Sequence, residues 1–199
     1  MKPVKAALAA GMAAAACVLW GEVPASAQLP VTVTPGRERS GEREENVRLA
    51  GGQTGPTVTG VTARTGLPVL FSSFPFSTLT VPETGPDRVE SANPGGSQIF
   101  SLTVALPGGA FTDLIANVLV AGEPRPGAAL NVAVNTSAGT FVFVQPLERG
   151  NNVFSVAAEP GVTINSVTFT GNVMQGVATT FTALRPLRIS GAAPSAAAP

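Results

Sequence analysis

The chain has 199 residues, carries 12 basic against 12 acidic side chains, and contains no histidine, no tyrosine, one cysteine and one tryptophan. A charge balance of zero gives neither nucleic acid nor an anionic membrane surface an electrostatic claim on it. Without histidine, Ser-His-Asp and Cys-His hydrolysis and the usual zinc and haem sites are excluded.

Residues 1–27 read as a cleavable secretory leader. Lys2 and Lys5 precede an apolar stretch from Ala6 to Trp20, and Ala25-Ser26-Ala27 supplies the small side chains that signal peptidase accepts, with Gln28 after the cut. A spanning anchor needs roughly 20 apolar residues, and Gly21-Glu22 ends this run first. A lipoprotein at Cys17 is the other competitor; Ala14 stands where that signal wants Leu. The leader predicts export, to the periplasm or beyond the cell, with no membrane span in the mature chain. Its loss takes away Cys17, Trp20 and both lysines, so the mature chain has no disulfide, Schiff-base lysine or thiol chemistry and depends on its core for stability.

Residues 28–57 contain Pro30, Pro35, Pro56 and the charged run Arg37 to Glu45, and are expected to form a flexible N-terminal linker or arm. A short helix over 42–50 is the alternative. Within this arm, Leu29-Pro30-Val31-Thr32-Val33-Thr34 alternates and could add as a strand to a neighbour's sheet, giving self-association through the arm.

From 58 to 190 apolar and polar residues alternate at period two, as in Phe100, Leu102, Val104, Leu106 and in Leu130, Val132, Val134. Strands are predicted over 58–63, 68–71, 78–81, 100–106, 113–120, 130–135, 140–144, 152–157, 163–169 and 177–184. Pro-Gly and Gly-Asn turn signals separate them, as at Pro94-Gly95-Gly96, Pro107-Gly108-Gly109 and Gly150-Asn151. Residues 191–199 are expected to be a flexible tail. The fold class is therefore all-β: a single antiparallel β-sandwich, jelly-roll-like, with a flexible N-terminal arm and C-terminal tail. Thr140-Phe141-Val142-Phe143-Val144 is apolar on both faces and is expected in a sheet centre or under a loop. Ile164 is out of phase with Val167 and Phe169, which predicts a bulge near Asn165-Ser166.

The stretch from Glu148 to Phe169, with Gly150-Asn151 before an aromatic strand and Ile164-Asn165-Ser166-Val167-Thr168-Phe169 after a turn, resembles a strand-turn-strand passage of exported bacterial β-sandwich proteins of the PEP-CTERM type. The resemblance implies a jelly-roll-like fold and a surface or envelope setting, and implies no catalytic residue. The Pro-Glu-Pro sorting signal of that group is not in this sequence.

The remaining chemistry rests on few side chains. Two-carboxylate glycosidase action would draw on Glu83, Asp87, Glu90, Asp113 or Glu123, against solvated loop charges as the plainer reading. Glu83, Asp87 and Glu90 share one loop and are the candidate calcium ligands; no other cofactor is indicated. Phe71, Phe74 and Phe76 form the densest aromatic group, and Phe111 follows glycines; exposed, they could take a glycan or protein partner, and otherwise they are core. The expected function is a non-enzymatic structural or interaction module of the bacterial envelope or extracellular matrix, with glycan binding as the alternative.

Overall fold

The computed structural model describes residues 28–36, 44–74, 77–84, 87–92 and 98–194, with the backbone alone at 186–187. The expected leader with Ala27, the aromatic Phe76 and residues 195–199 of the expected tail lie outside the described residues. The chain folds as an antiparallel β-sandwich of two seven-stranded sheets, numbered in chain order. Sheet A runs β1 (Val31–Pro35), β13 (Gly150–Ala158), β10 (Asp113–Val120), β17 (Ala183–Ser190), β7 (Val89–Ser91), β6 (Leu79–Thr80), β3 (Thr54–Gly55). Sheet B runs β12 (Gly139–Pro146), β11 (Ala129–Thr136), β14 (Ile164–Gly171), β8 (Ser101–Ala105), β5 (Pro68–Ser73), β4 (Thr57–Thr62), β2 (Val47–Leu49). Two short pairs stand apart, β15 (Val173–Met174) with β16 (Val177–Ala178) and β9 (Gly109–Ala110) with β18 (Ala193–Pro194).

The period-two alternation decides which side chains meet between the sheets. Leu102, Val104, Leu130, Val132, Val134, Val167 and Phe169 from sheet B are buried against Leu114, Ala116, Val118, Phe154, Val156, Leu184 and Ile189 from sheet A. The chain passes between sheets repeatedly, from β8 to β10, back to β11 and β12, across to β13, back to β14 and across to β17. Bridges at the corners tie the layers together: Phe111 and Ile164 exchange both backbone hydrogen bonds, as do Ile99 and Phe181. The bulge expected near Asn165 is present. Asn135 pairs with Ser166 but Thr136 pairs with Ile164, so Asn165 is the extra residue that lets Ile164, Val167 and Phe169 all face the core.

Five expectations are corrected. Residues 28–57, expected as a linker, supply described strands: β1 pairs along its length with β13, β2 pairs with β4, and β3 pairs with β6. Val31, Val33, Val47 and Leu49 repay the ordering of this segment by burial in the core. The alternative helix over 42–50 is likewise replaced, in its described part, by β2. The expected strand over 177–184 is split, because β16 ends at Ala178 and β17 begins at Ala183, with Phe181 turned to Ile99 between them. At the other end, Ala193 and Pro194 of the expected tail pair with β9. The fifth correction concerns β12, which is an edge strand and not a central one.

Glu45 explains how the N-terminal segment is locked. Its backbone N–H and C=O both pair with Ile189 of sheet A, at 2.9 and 3.0 Å. Its buried carboxylate reaches to the β4–β5 turn of sheet B, where Oε2 accepts from the backbone N–H groups of Arg64 and Thr65, each at 2.9 Å, and Oε1 from the Thr65 hydroxyl at 2.8 Å. Burial alone would raise this carboxyl's pKa. The Thr65 and Arg64 hydrogen bonds and the Arg64 charge outweigh burial and hold it below the ordinary carboxyl value.

Candidate functional site

A sheet edge exposes unpaired backbone donors and acceptors, so proteins blunt their edges with short strands, proline, bulges or charges. Three of the four edges here are treated in that way. β3 is two residues long, and β2 is three with Arg48 at its centre. β1 carries Pro35, and its Val33 carbonyl accepts from Gln145 Nε2 at 3.2 Å. The fourth edge, β12, has eight residues, no charge, a proline only at its last position, Pro146, and a bulge-free register with β11 from Gly139 to Pro146.

The phase of the ladder shows what this edge offers. Leu147 N–H donates to Ala128 O, and on the other side of β11 Asn172 N–H donates to Ala129 O. Alternate residues of an antiparallel strand point their backbone groups to opposite sides. The N–H and C=O of Gly139, Phe141, Phe143 and Gln145 therefore face β11, and those of Thr140, Val142 and Val144 face outward from the edge. Side chains sort by the same alternation. Phe141 and Phe143 turn inward and pack, half-buried, on the core, whereas Val142 and Val144 are 62% and 67% exposed. The two-sided apolar pattern thus has a covered face and an uncovered one.

The surface beside this edge is uncharged. Across six strands Val142, Ala133, Thr168, Thr103, Ser72 and Thr57 stand in one register row. The hydroxyl pair Thr103–Thr168 at 2.8 Å lies within it, and the pair Ser101–Thr170 at 2.9 Å lies two residues along the same strands. In all seven strands of sheet B, Arg48 is the only charged residue.

A second feature is the β15–β16 hairpin, whose Val173, Met174 and Val177 are exposed at 40–60%. Its two-residue turn places Gln175 and Gly176 both at positive φ, 50° and 76°, the primed geometry that suits a tight hairpin. The hairpin walls a cleft of about 300 Å³ whose other side carries Val120, Glu123, Arg125 and Ala128. Glu123 pairs with Arg149 at 3.1 Å, both largely exposed.

The other sequence candidates are placed as follows. Phe71 and Phe111 are fully buried core residues, which corrects their candidacy as ligand-facing aromatics, and Phe74 is 81% exposed. Among the described residues no three acidic side chains gather in a metal-binding cluster, so Glu83, Asp87 and Glu90 are not brought together; Glu90 instead pairs with Arg88 at 2.7 Å. Asp113 is half-buried on sheet A. Burial raises its carboxyl above the usual range, the 2.6 Å bond from Thr112 Oγ1 opposes this, and the charge of Glu44 adds to the rise. Glu44, absent from the sequence candidates, is itself ion-paired with Arg188. Gln28 donates to Glu159 at 2.9 Å beside the start of β1. Among the described residues no helix is long and apolar enough to cross a membrane.

Sequence reasoning marked the β12 residues as two-sided but missed the edge, and it missed the hairpin, whose signal was Gln175-Gly176 between two short apolar pairs. Comparison with known proteins leaves the chain to be read from its own geometry: it matches no protein-family model, no curated protein and no solved structure.

Proposed function

We propose that this chain is an exported, non-enzymatic interaction module of the bacterial cell envelope or extracellular matrix, engaging its partner through the β12 edge and the adjoining face of sheet B. One observation carries the reading: an eight-residue uncharged edge strand holds Val142 and Val144 in water, whereas the other three sheet edges among the described residues are five residues long or shorter. Strand addition recognises backbone and uses alternate side chains for selectivity, which suits a surface without charge. The leader at residues 1–27 and the resemblance of residues 148–169 to PEP-CTERM-type surface proteins support the setting outside the cytoplasm. The absence of histidine, and of any group of three acidic side chains among the described residues, supports a role without catalysis. Glycan binding is favoured by one observation, the exposed ring of Phe74, two residues along the chain from Ser72 of the register row.

The test is photo-cross-linking from a benzoylphenylalanine placed at position 142 or 144 of the full chain in a bacterium that exports it. Light-dependent adducts are expected from both positions and not from position 173, an exposed valine of β15 outside sheet B. No adduct from 142 or 144, or equal yields from 173, would overturn the reading.

A further inference from the structure

β12 is self-complementary, and from this we infer that its partner is β12 of a second copy of the chain, paired antiparallel about a two-fold axis through Val142. The inference rests on the edge reading above and narrows it to one occupant. The outward-facing backbone groups belong to Thr140, Val142 and Val144. With Val142 opposite its own equivalent, Thr140 falls opposite Val144 of the other copy and Val144 opposite its Thr140. Each of those residues presents one N–H and one C=O, so all meet partners in the hydrogen-bonded phase of the ladder.

The side chains match as well. On the outer face the β-branched pairs Val142–Val142 and Thr140–Val144 come together, a favourable cross-strand combination. On the inner face Phe141 falls opposite Phe143 and Phe143 opposite Phe141, so two half-buried rings on each copy complete one another's cover. Charge also permits it. β12 is uncharged and Arg48 lies at the far edge of sheet B, so no like charges are forced opposite one another. A two-fold interface is closed and stops at the dimer, joining the two seven-stranded B sheets into one. Edge pairing covers roughly 400 Å² on each copy, about half a standard interface, so the dimer is expected to be weak and reversible.

The experiment is sedimentation velocity over a concentration series, on the chain carrying Cys17→Ala so that introduced thiols stand alone. A reversible monomer–dimer equilibrium is expected, weakened at least about tenfold by Val142→Lys, which sets two like charges face to face at the axis. Val173→Lys, on the exposed hairpin, should leave the association unchanged. Disulfide trapping reads the register: Val142→Cys should cross-link to itself, since opposed residues of this phase lie about 5.5 Å apart at Cα. Val144→Cys should link to Thr140→Cys in a mixture but not to itself.

A chain that stays monomeric to about 1 mM, or a dimer indifferent to Val142→Lys, would overturn the inference, as would self-linking of Val144→Cys equal to that of Val142→Cys. In cells, a position-142 photo-adduct of any mass other than two chains would also overturn it while leaving the edge reading standing.

Discussion

Glu45→Ala should be among the most damaging substitutions of any charged residue in this protein. The side chain joins a backbone pair on sheet A to the β4–β5 turn on sheet B, and its carboxylate accepts three hydrogen bonds of 2.8–2.9 Å. Charge-assisted bonds contribute about 1.5 kcal/mol or more each. Arg64 and Thr65 lie in an exposed turn, so their freed donors recover water in the variant, and the net loss falls to about 2–3 kcal/mol. For a domain of this size that lowers Tm by about 5–10 °C. Glu45→Gln keeps an acceptor for the turn amides and should lose only about 1 kcal/mol. The pH dependence gives an independent check. Because the folded carboxyl is held below its ordinary value of about 4.3, the stabilisation is complete above that pH and is lost as pH falls through the lowered folded pKa. Urea unfolding at several pH values from 3 to 7 would measure it, and the wild-type advantage over Glu45→Gln should shrink on the acid side. A Glu45→Ala variant within about 0.5 kcal/mol of wild type, or an advantage that does not change with pH, would refute the clamp.

Asp113 has the opposite sign: its raised carboxyl favours the folded state at low pH, and that contribution is lost as pH rises through the folded pKa. Asp113→Asn should therefore be more stable than wild type at pH 7, with the gain vanishing below about pH 4, as read by parallel denaturant titrations. Gln175 sits at a φ of 50° in the β15–β16 turn, where asparagine is better accommodated, and Gln175→Asn should raise stability by about 0.5 kcal/mol in thermal unfolding. Gly171 has no room for a side chain, since a Cβ there would lie 1.7 Å from the Thr179 carbonyl oxygen. Gly171→Ala should cost about 3 kcal/mol or more, seen as a loss of soluble folded protein or a large fall in urea midpoint.

What the sequence by itself determined was whatever depends on near neighbours. Period-two alternation identified β8 and β11 because each strand's burial pattern follows its own residues. The Asn165 bulge was legible for the same reason: Ile164 cannot face the core together with Val167 and Phe169 unless one residue is stepped over. The alternation of Val31 to Thr34 marked a segment able to add to a sheet, but the sheet it joins is its own, at β13. Among the acidic residues of the charged run, nothing local sets Glu45 apart from Glu44; the sites that bury one and ion-pair the other, at Thr65 and Arg188, lie far along the chain. Likewise Phe71 and Phe74 are near neighbours with opposite fates, one fully buried and one exposed. The position of β12 at an edge depends on which strands take the other places in sheet B, a competition among long-range pairings that no window of sequence contains. Tertiary structure alone therefore decided that the chain's most two-sided apolar strand has one face in the core and the other in water.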